Sequence, residues 1–433
     1  MRTYFPILLV LCLGCQKIDP SLRAPGTSSH LNADSTSQPN IILIVADDVG
    51  YELLTCNGGQ SYETPRLDAM ANAGVRYANC HATPDCSPSR FMLLTGKYNF
   101  RNYKQWGVMD TSNRTIGNMF RDAGYSTCFV GKWQLDGSES SIHALGFDKY
   151  SVWQPSQADS AGSRYKSPQI YENGAYLPDS VTLNKYADDW FTDYLQHFRD
   201  TVRKPYFIIY SMSLCHGPFS PTPDDTKFAI WTPDKRGDPK YFPSMVKYMD
   251  KKVGQIIDSS DENTVVIFAG DNGSPQEITS IWNGDTVVGA KNSLTIFATH
   301  VPLILYRKGY PARVDSSLVD FTDFMPTLAS ISNIPLPINY GILDGTPFYP
   351  TSTREWIYCF FEPRPYLDAH ATWVHNKVYK RYGSDSLLGA QKNKLYNIAV
   401  DPYEQHILGQ KKQTPEERAI DSTFKKILKS MHN

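Results

Sequence analysis

Five short apolar runs rich in β-branched or aromatic residues punctuate the chain: Ile41–Val45, Ser126–Val130, Tyr206–Tyr210, Thr264–Phe268 and Pro302–Tyr306. Helix-like segments lie between them. A run that is apolar at successive positions suits a strand buried on both faces, so the pattern predicts an α/β fold with a large, mostly parallel sheet covered by helices on both sides. Thr64-Pro65 offers an N-cap and a first-turn proline, with Leu67, Met70 and Ala71 forming one apolar face before Gly74, and Asn113–Ala123 reads similarly up to Gly124. From about Val152 to Ser180, and again from Ser220 to Lys240, the chain is rich in Ser, Pro, Asp, Gly and Tyr, which predicts long loops able to shape a pocket. After Pro350 the pattern changes. Trp356–Phe361, Thr372–Tyr382 and Lys394–Asn397 read as strands and Glu416–Met431 as a helix, so residues 39–350 are expected to form the large domain and 351–433 a smaller C-terminal α+β subdomain with a short antiparallel sheet.

The first residues predict export. Met1-Arg2, the apolar stretch Tyr4–Leu13 and Gly14-Cys15 make a signal peptide of residues 1–15, too short to span a bilayer. L-C-L-G-C resembles a bacterial lipobox, with Cys15 as the lipidated first mature residue, although Cys12 departs from the usual aliphatic choice. Residues 16–38, rich in Ser, Thr, Pro and Asn, then read as a disordered leader. The expected location is the periplasm or the outer membrane of a bacterium, with membrane contact through the N-terminal lipid alone. A net charge of -1 lacks the basic excess of a nucleic-acid binder, while 27 Tyr and 8 Trp suit stacking against sugar rings as well as core packing. Cys56, Cys80, Cys86, Cys128, Cys215 and Cys359 are scattered, without the spacing of a disulfide scaffold or a zinc site.

Polar clusters follow the apolar runs. Asp47-Asp48 comes directly after the first, Lys132 just after the second, His216 shortly after the third and Asp271-Asn272 just after the fourth. In an open parallel sheet the carboxyl ends of the strands share one edge, where ligands bind, so these residues are expected to converge. Asp47, Asp48, Asp271 and Asn272 offer oxygen ligands only, the preference of calcium or magnesium rather than zinc. Alone, each pair reads more readily as a cap or a turn; gathered at one edge, they read as a metal site. Ser87 can cap and Pro88 can open a helix, which puts Cys86 at a helix N-terminus, where free N–H groups and the dipole favour negative charge. By residue chemistry alone, Cys86 near Arg90 is either a low-pKa thiol nucleophile or a buried cysteine.

Cys86–Gly96 matches C-x-P-S-R-x-x-x-L-T-G position by position. In this the chain resembles the formylglycine-dependent (type I) sulfatase family of the alkaline-phosphatase superfamily. The similarity extends to P-N-I-I-L-I-V-A-D-D-V-G, T-P-R-L-D, G-K-W, A-G-D-N-G and D-P-Y-E. The resemblance implies a sulfuric ester hydrolase acting on an organic sulfate, with a sulfated carbohydrate expected as substrate. It implies that a separate maturation enzyme oxidises Cys86 to formylglycine. Asp47, Asp48, Asp271 and Asn272 then become ligands of one calcium ion (Ca2+) per subunit, with the converted Cys86 on the same ion. Arg90 would hold the nucleophile, Lys132 and Lys291 of G-A-K-N-S would bind sulfate, and His216 would hydrogen-bond the ester oxygen. One hydroxyl of the aldehyde hydrate attacks sulfur, the alcohol departs with a proton from His216 or Lys291, and the second hydroxyl expels sulfate.

Gln134 stands where the family's G-K-W-H has histidine, and a glutamine cannot change protonation near neutral pH. The segment Lys291–Pro302 also lacks the family's acidic residue and paired glycines. Both departures read as subfamily drift. Two other functions remain open: a phosphate or phosphonate ester hydrolase using the same carboxylates, against which C-S-P-S-R argues, and a non-catalytic sulfated-glycan-binding protein. Arg364, His370 and Trp373 are candidates for recognising the rest of the substrate.

Overall fold

Every residue of the strand Asn40–Ala46 is buried, and its alternating side chains feed two separate apolar layers. Ile41, Leu43 and Val45 pack with Phe91, Met119 and Met325 on one face, while Ile42, Ile44 and Ala46 pack with Met70, Phe191 and Met249 on the other. A fully buried aliphatic side chain contributes about 1.5–3 kcal/mol, so helix cover on both faces is what makes this run tolerable. The computed structural model describes residues 38–431 apart from 102, 106, 137, 157–161, 234, 364–368 and 387–390. The expected signal peptide, the lipidated Cys15 and the leader lie outside the described residues, as does Arg364. Among the described residues no helix is long and apolar enough to cross a membrane.

The strand Asn40–Ala46 lies inside a ten-stranded sheet. Thr264–Gly270, Asn40–Ala46, Tyr206–Met212 and Ser126–Lys132 are successive parallel neighbours, and Lys149–Trp153 continues the parallel run. The sheet is nevertheless mixed. His300–Tyr306, expected to begin at Pro302, pairs antiparallel with Thr264–Gly270. The reason is local: residues 271–299 stay near the edge where Thr264–Gly270 ends, so the next strand starts from that edge and runs back. Val75–His81 pairs antiparallel with it in turn and therefore points the same way as the parallel core, with Arg313–Asp320 parallel beside it. Neither of these last two strands stood out as an apolar run.

The C-terminal region carries a four-stranded antiparallel sheet of Ile357–Phe361, Ala371–His375, Tyr379–Tyr382 and Leu395–Asn397, followed by the helix Pro415–Met431. The expected single strand Thr372–Tyr382 is a hairpin instead. Asn376 causes the break: its side-chain oxygen accepts from the backbone N–H groups of Val378 (2.9 Å) and Tyr379 (2.7 Å), a local turn that competes with strand continuation. All six described cysteines are free thiols.

Candidate active site

Four parallel strands deliver their carboxyl ends to one edge, and their loops are stitched together there. Cys215 N–H donates to Asp47 O (2.6 Å), Asp47 N–H to Leu214 O (2.8 Å) and Asp271 N–H to Ala46 O (3.0 Å). Asp48 turns back in the left-handed region at φ 59° and donates its N–H to Asp271 Oδ1 (3.1 Å). Gly131 takes φ 96° just before Lys132, where a Cβ would collide with the Ser211 carbonyl of the adjacent strand. A fifth strand end, unforeseen from the sequence, brings in Cys86: Val75–His81 runs to the same edge and leads into the helix Cys86–Thr95. That helix starts earlier than Ser87-Pro88 suggests. Asp85 is its N-cap and accepts from Cys86 N–H (2.9 Å), so Cys86 occupies the first turn.

The predicted residues come together. A carboxylate oxygen of Asp47, one of Asp271 and Cys86 Sγ lie within 4.8 Å of one another, and a second such group joins Asp47, Asp48 and His216. Lys132 Nζ donates to Asp47 Oδ2 (2.7 Å) and Lys291 Nζ to Asp48 Oδ1. Arg90, one turn beyond Cys86, grips Asp271 Oδ2 through Nε (3.0 Å) and Nη2 (2.7 Å) and donates through Nη1 to Ser211 Oγ, so two of these three hydrogen bonds go to the carboxylate cluster. His216 Nε2 lies 3.9 Å from Asp48 Oδ2, and its Nδ1–H donates to Gly217 O (2.6 Å). The Lys291 loop is tied to the nucleophile's approach, since Asn292 N–H donates to Pro84 O (2.9 Å).

These residues fit a cation. Asp47 Oδ1 and Asn272 Oδ1 are buried acceptors without a hydrogen-bond partner, an expensive arrangement unless a positive ion fills it. Asn272 Nδ2 donates to Asp48 Oδ1 (2.8 Å), which turns its carbonyl oxygen away from that carboxylate. The donor set is oxygen-rich, with Cys86 beside it.

Charge and burial compete strongly here. Burial alone would raise Asp47, yet Lys132, His216, Arg90 and Lys291 together hold it well below the ordinary carboxylate range. Asp48 is lowered in the same way, chiefly by Lys291 against burial. Asp271, pressed by burial and by Asp47, is pushed up to about 7. Burial also pushes the Cys86 thiol up to about 11, despite Lys132. The protein side chains around Cys86 therefore give it no low-pKa environment of their own, which favours the buried-cysteine reading.

Gln134, at φ 47°, stands apart from the carboxylates on the wall of an adjoining cavity of about 340 Å³. Its Nε2 donates to Gln154 Oε1 (2.5 Å). Both loops expected from composition line this cavity, through Trp153 and Arg164 from one and Trp231 and Lys235 from the other. Arg164 escaped notice in the sequence because no motif surrounds it. The more distant recognition candidates serve packing and pairing: Trp373 is fully buried in the small sheet's core, and His370 pairs with Asp385 (3.1 Å) and stacks on Phe360.

The sulfatase family profile matches residues 39–334. Arylsulfatase G of Rattus norvegicus is 28% identical over 351 residues, a match covering 68% of this chain and 65% of that protein, so just under two thirds of the relative's length is represented. N-acetylglucosamine-6-O-sulfatase of Bacteroides thetaiotaomicron is 31% identical over 201 residues, covering 44% of this chain and 33% of its own. The solved structure of a protein in complex with its substrate D-glucosamine-2-N,6-O-disulfate shares the fold, with a TM-score of 0.72 at 18% identity over 91% of this chain and 97% of that one. A profile that spans most of the chain, over the same residues that build the strand-edge cluster, establishes that the protein belongs to the sulfatase family.

Proposed function

We propose that the protein hydrolyses a sulfate ester of a carbohydrate, with Cys86 as the precursor of formylglycine and calcium held by Asp47, Asp48, Asp271 and Asn272. Family membership implies a metal ion and formylglycine. The carrying observation is the pair of unpartnered buried oxygens, Asp47 Oδ1 and Asn272 Oδ1, in a carboxylate cluster whose Asp47 and Asp271 lie within 4.8 Å of Cys86 Sγ. Oxygen donors select calcium over a softer ion. When bound, the ion supplies a fixed positive charge beside the converted side chain and the transferring sulfate. The protein's own cations finish the cradle: Lys132 and Lys291 approach from opposite members of the Asp47-Asp48 pair, and Arg90 keeps Asp271 in place. Because His216 uses its Nδ1–H on Gly217 O, its Nε2 is the acceptor side facing the cluster, and Lys291 is the group that carries a proton toward the departing alcohol. Sulfated sugars are favoured by the saccharide-specific relative and by the aromatic cavity beside the site. A separate formylglycine-generating enzyme would mature Cys86, and the first fifteen residues support export with a lipid anchor at Cys15.

The test pairs chemistry with turnover. Protein made in a host that matures sulfatases should show an aldehyde or its hydrate at position 86 by mass spectrometry, and should release sulfate faster than phosphate from matched aryl esters. Cys86→Ala should lower sulfate release by roughly 10³-fold or more. An intact thiol at Cys86 in such a host, or faster phosphate release, would overturn the proposal.

A further inference from the structure

The cavity beside the strand-edge cluster is lined by Arg164, Lys166 and Lys235 together with Trp153, Tyr165 and Trp231, and among the described residues no carboxylate contributes to its wall. Its cations are not equivalent. Lys166 spends its ammonium on three backbone carbonyls, Phe228 O (2.8 Å), Ala229 O (3.0 Å) and Trp231 O (2.9 Å), which ties one loop to the other. Lys235 donates to Ile230 O (2.8 Å) within its own turn. Arg164 is different: its side chain is 9% exposed, and its one hydrogen bond among the described residues runs from Nη1 to Asp47 Oδ2 (3.3 Å). A guanidinium carries five N–H donors, so most of its fork is left for another partner.

The fork is also held in place. The guanidinium carbon lies 4.4 Å from the centroid of the Trp153 ring, and Trp153 is the residue that pairs across the sheet with Lys132. The next residue, Tyr165, donates its hydroxyl to Ser213 O (2.8 Å) and to His216 O, fastening this stretch to the loop that bears His216. Arg164 thus stands at the boundary between the cluster and the cavity, stacked on one face and open along its edge. Gln134 lines the same cavity without a charge.

Resting on the sulfate-ester reading of the site, we propose that Arg164 determines specificity by binding a second anionic group, a sulfate or a carboxylate, on the sugar whose ester is cleaved. The leaving sugar would occupy the aromatic cavity, and its second anion would take the free edge of the Arg164 fork. A nearly buried, under-used guanidinium facing an aromatic cavity has this as its natural ligand, because two oxygens of a carboxylate or a sulfate can engage the planar fork through two parallel hydrogen bonds.

The experiment compares a panel of hexose monosulfates with the disulfates that contain them, using wild-type protein, Arg164→Gln and Arg164→Lys, and measures kcat/KM alongside equilibrium binding to Cys86→Ala with and without Arg164→Gln. For the preferred disulfate, Arg164→Gln should lose roughly 10- to 100-fold in kcat/KM and in affinity, and at least tenfold more than for the matching monosulfate. Arg164→Lys should recover part of that loss. Equal losses on both substrates would place Arg164 at the scissile sulfate and overturn the proposal, as would no loss on either. If the wild-type protein turns over no sulfate ester, the sulfatase reading falls, and the binding comparison still decides Arg164: an affinity for disulfates that does not depend on the arginine rejects it.

Discussion

Asp47 and Glu404 are both carboxylates buried beside a lysine, yet the two pairs are finished differently. Glu404 receives Lys380 Nζ on one oxygen (2.7 Å) and Tyr382 OH on the other (2.5 Å), while Lys380 also donates to Leu294 O and lies 4.3 Å from the centroid of the Trp373 ring. Nothing in that pair is left open. Asp47 takes Lys132 and Arg164 on Oδ2, and its Oδ1 takes no hydrogen bond at all. A buried pair that serves folding closes its valences, because each unpaired polar atom there costs about 1–3 kcal/mol; a pair that serves chemistry keeps an acceptor in reserve for what must bind. The two are also linked. Lys380 and Tyr382 both bond Leu294 O, three residues past Lys291, so the closed pair in the small sheet steadies the loop that carries one of the open site's cations.

The strongest way to break this contrast is to change each carboxylate to its amide. Asp47→Asn should reduce turnover by roughly 10³- to 10⁴-fold, since the amide still accepts from Lys132 but no longer offers a charge to a metal ion. Glu404→Gln should act on stability instead: removing one partner leaves Lys380 charged and buried, a loss of about 3–5 kcal/mol by denaturant unfolding, with turnover per folded molecule falling far less than in Asp47→Asn. If Glu404→Gln abolishes turnover while the unfolding curve stays put, the division into open and closed pairs is wrong. A gentler probe is the ion itself. Calcium at about 100 times its Kd should raise the unfolding free energy of the wild type by about 2.7 kcal/mol, chelation should reverse the gain, and Asp47→Asn should show no such response.

The same contrast explains what the sequence disclosed. Most of the open site is legible because its residues follow uninterrupted apolar runs or sit in C-S-P-S-R, signals that survive without tertiary context, whereas Lys291 is reached only through the family resemblance. The site's direction of assembly is less so. Val75–His81 alternates with Arg76 and Asn79 and looks like no buried strand, yet it delivers Cys86; the polar run Arg313–Asp320 is stabilised as a strand by pairing along an edge. Arg164 has no local signature, since its importance arises from Trp153 and Asp47, distant in the chain. Trp373 and His370 are candidate substrate contacts or packing residues by sequence alone, because aromatic and imidazole groups carry no address; the structure puts Trp373 in the small sheet's core and pairs His370 with Asp385.

The smallest expected effect concerns protons near the closed pair. His81 and His300 of the large sheet meet His375 of the small sheet, with His81 stacked on His300 at 4.9 Å and edge-on to His375 at 4.5 Å. Burial holds all three below the ordinary histidine value of 6.5, with His300 down to about 4 and His375 down to about 3; Lys380 adds its repulsion at His81 and His375. The unfolded chain therefore binds protons near pH 6.5 that the folded chain refuses until the pH is much lower. Stability from these groups is complete above about pH 7 and declines as the pH falls from 6.5 toward 4. Between pH 7.5 and 5.5 each such ring costs about 1.4 kcal/mol of stability, so His375 alone accounts for roughly 2 °C in Tm. His375→Gln, which removes the ring whose Nε2 has no hydrogen-bond partner, should flatten that decline relative to the wild type. An unchanged slope would mean that the acid sensitivity resides in the strand-edge carboxylates instead, and the open site rather than the closed pair would then set the protein's lower pH limit.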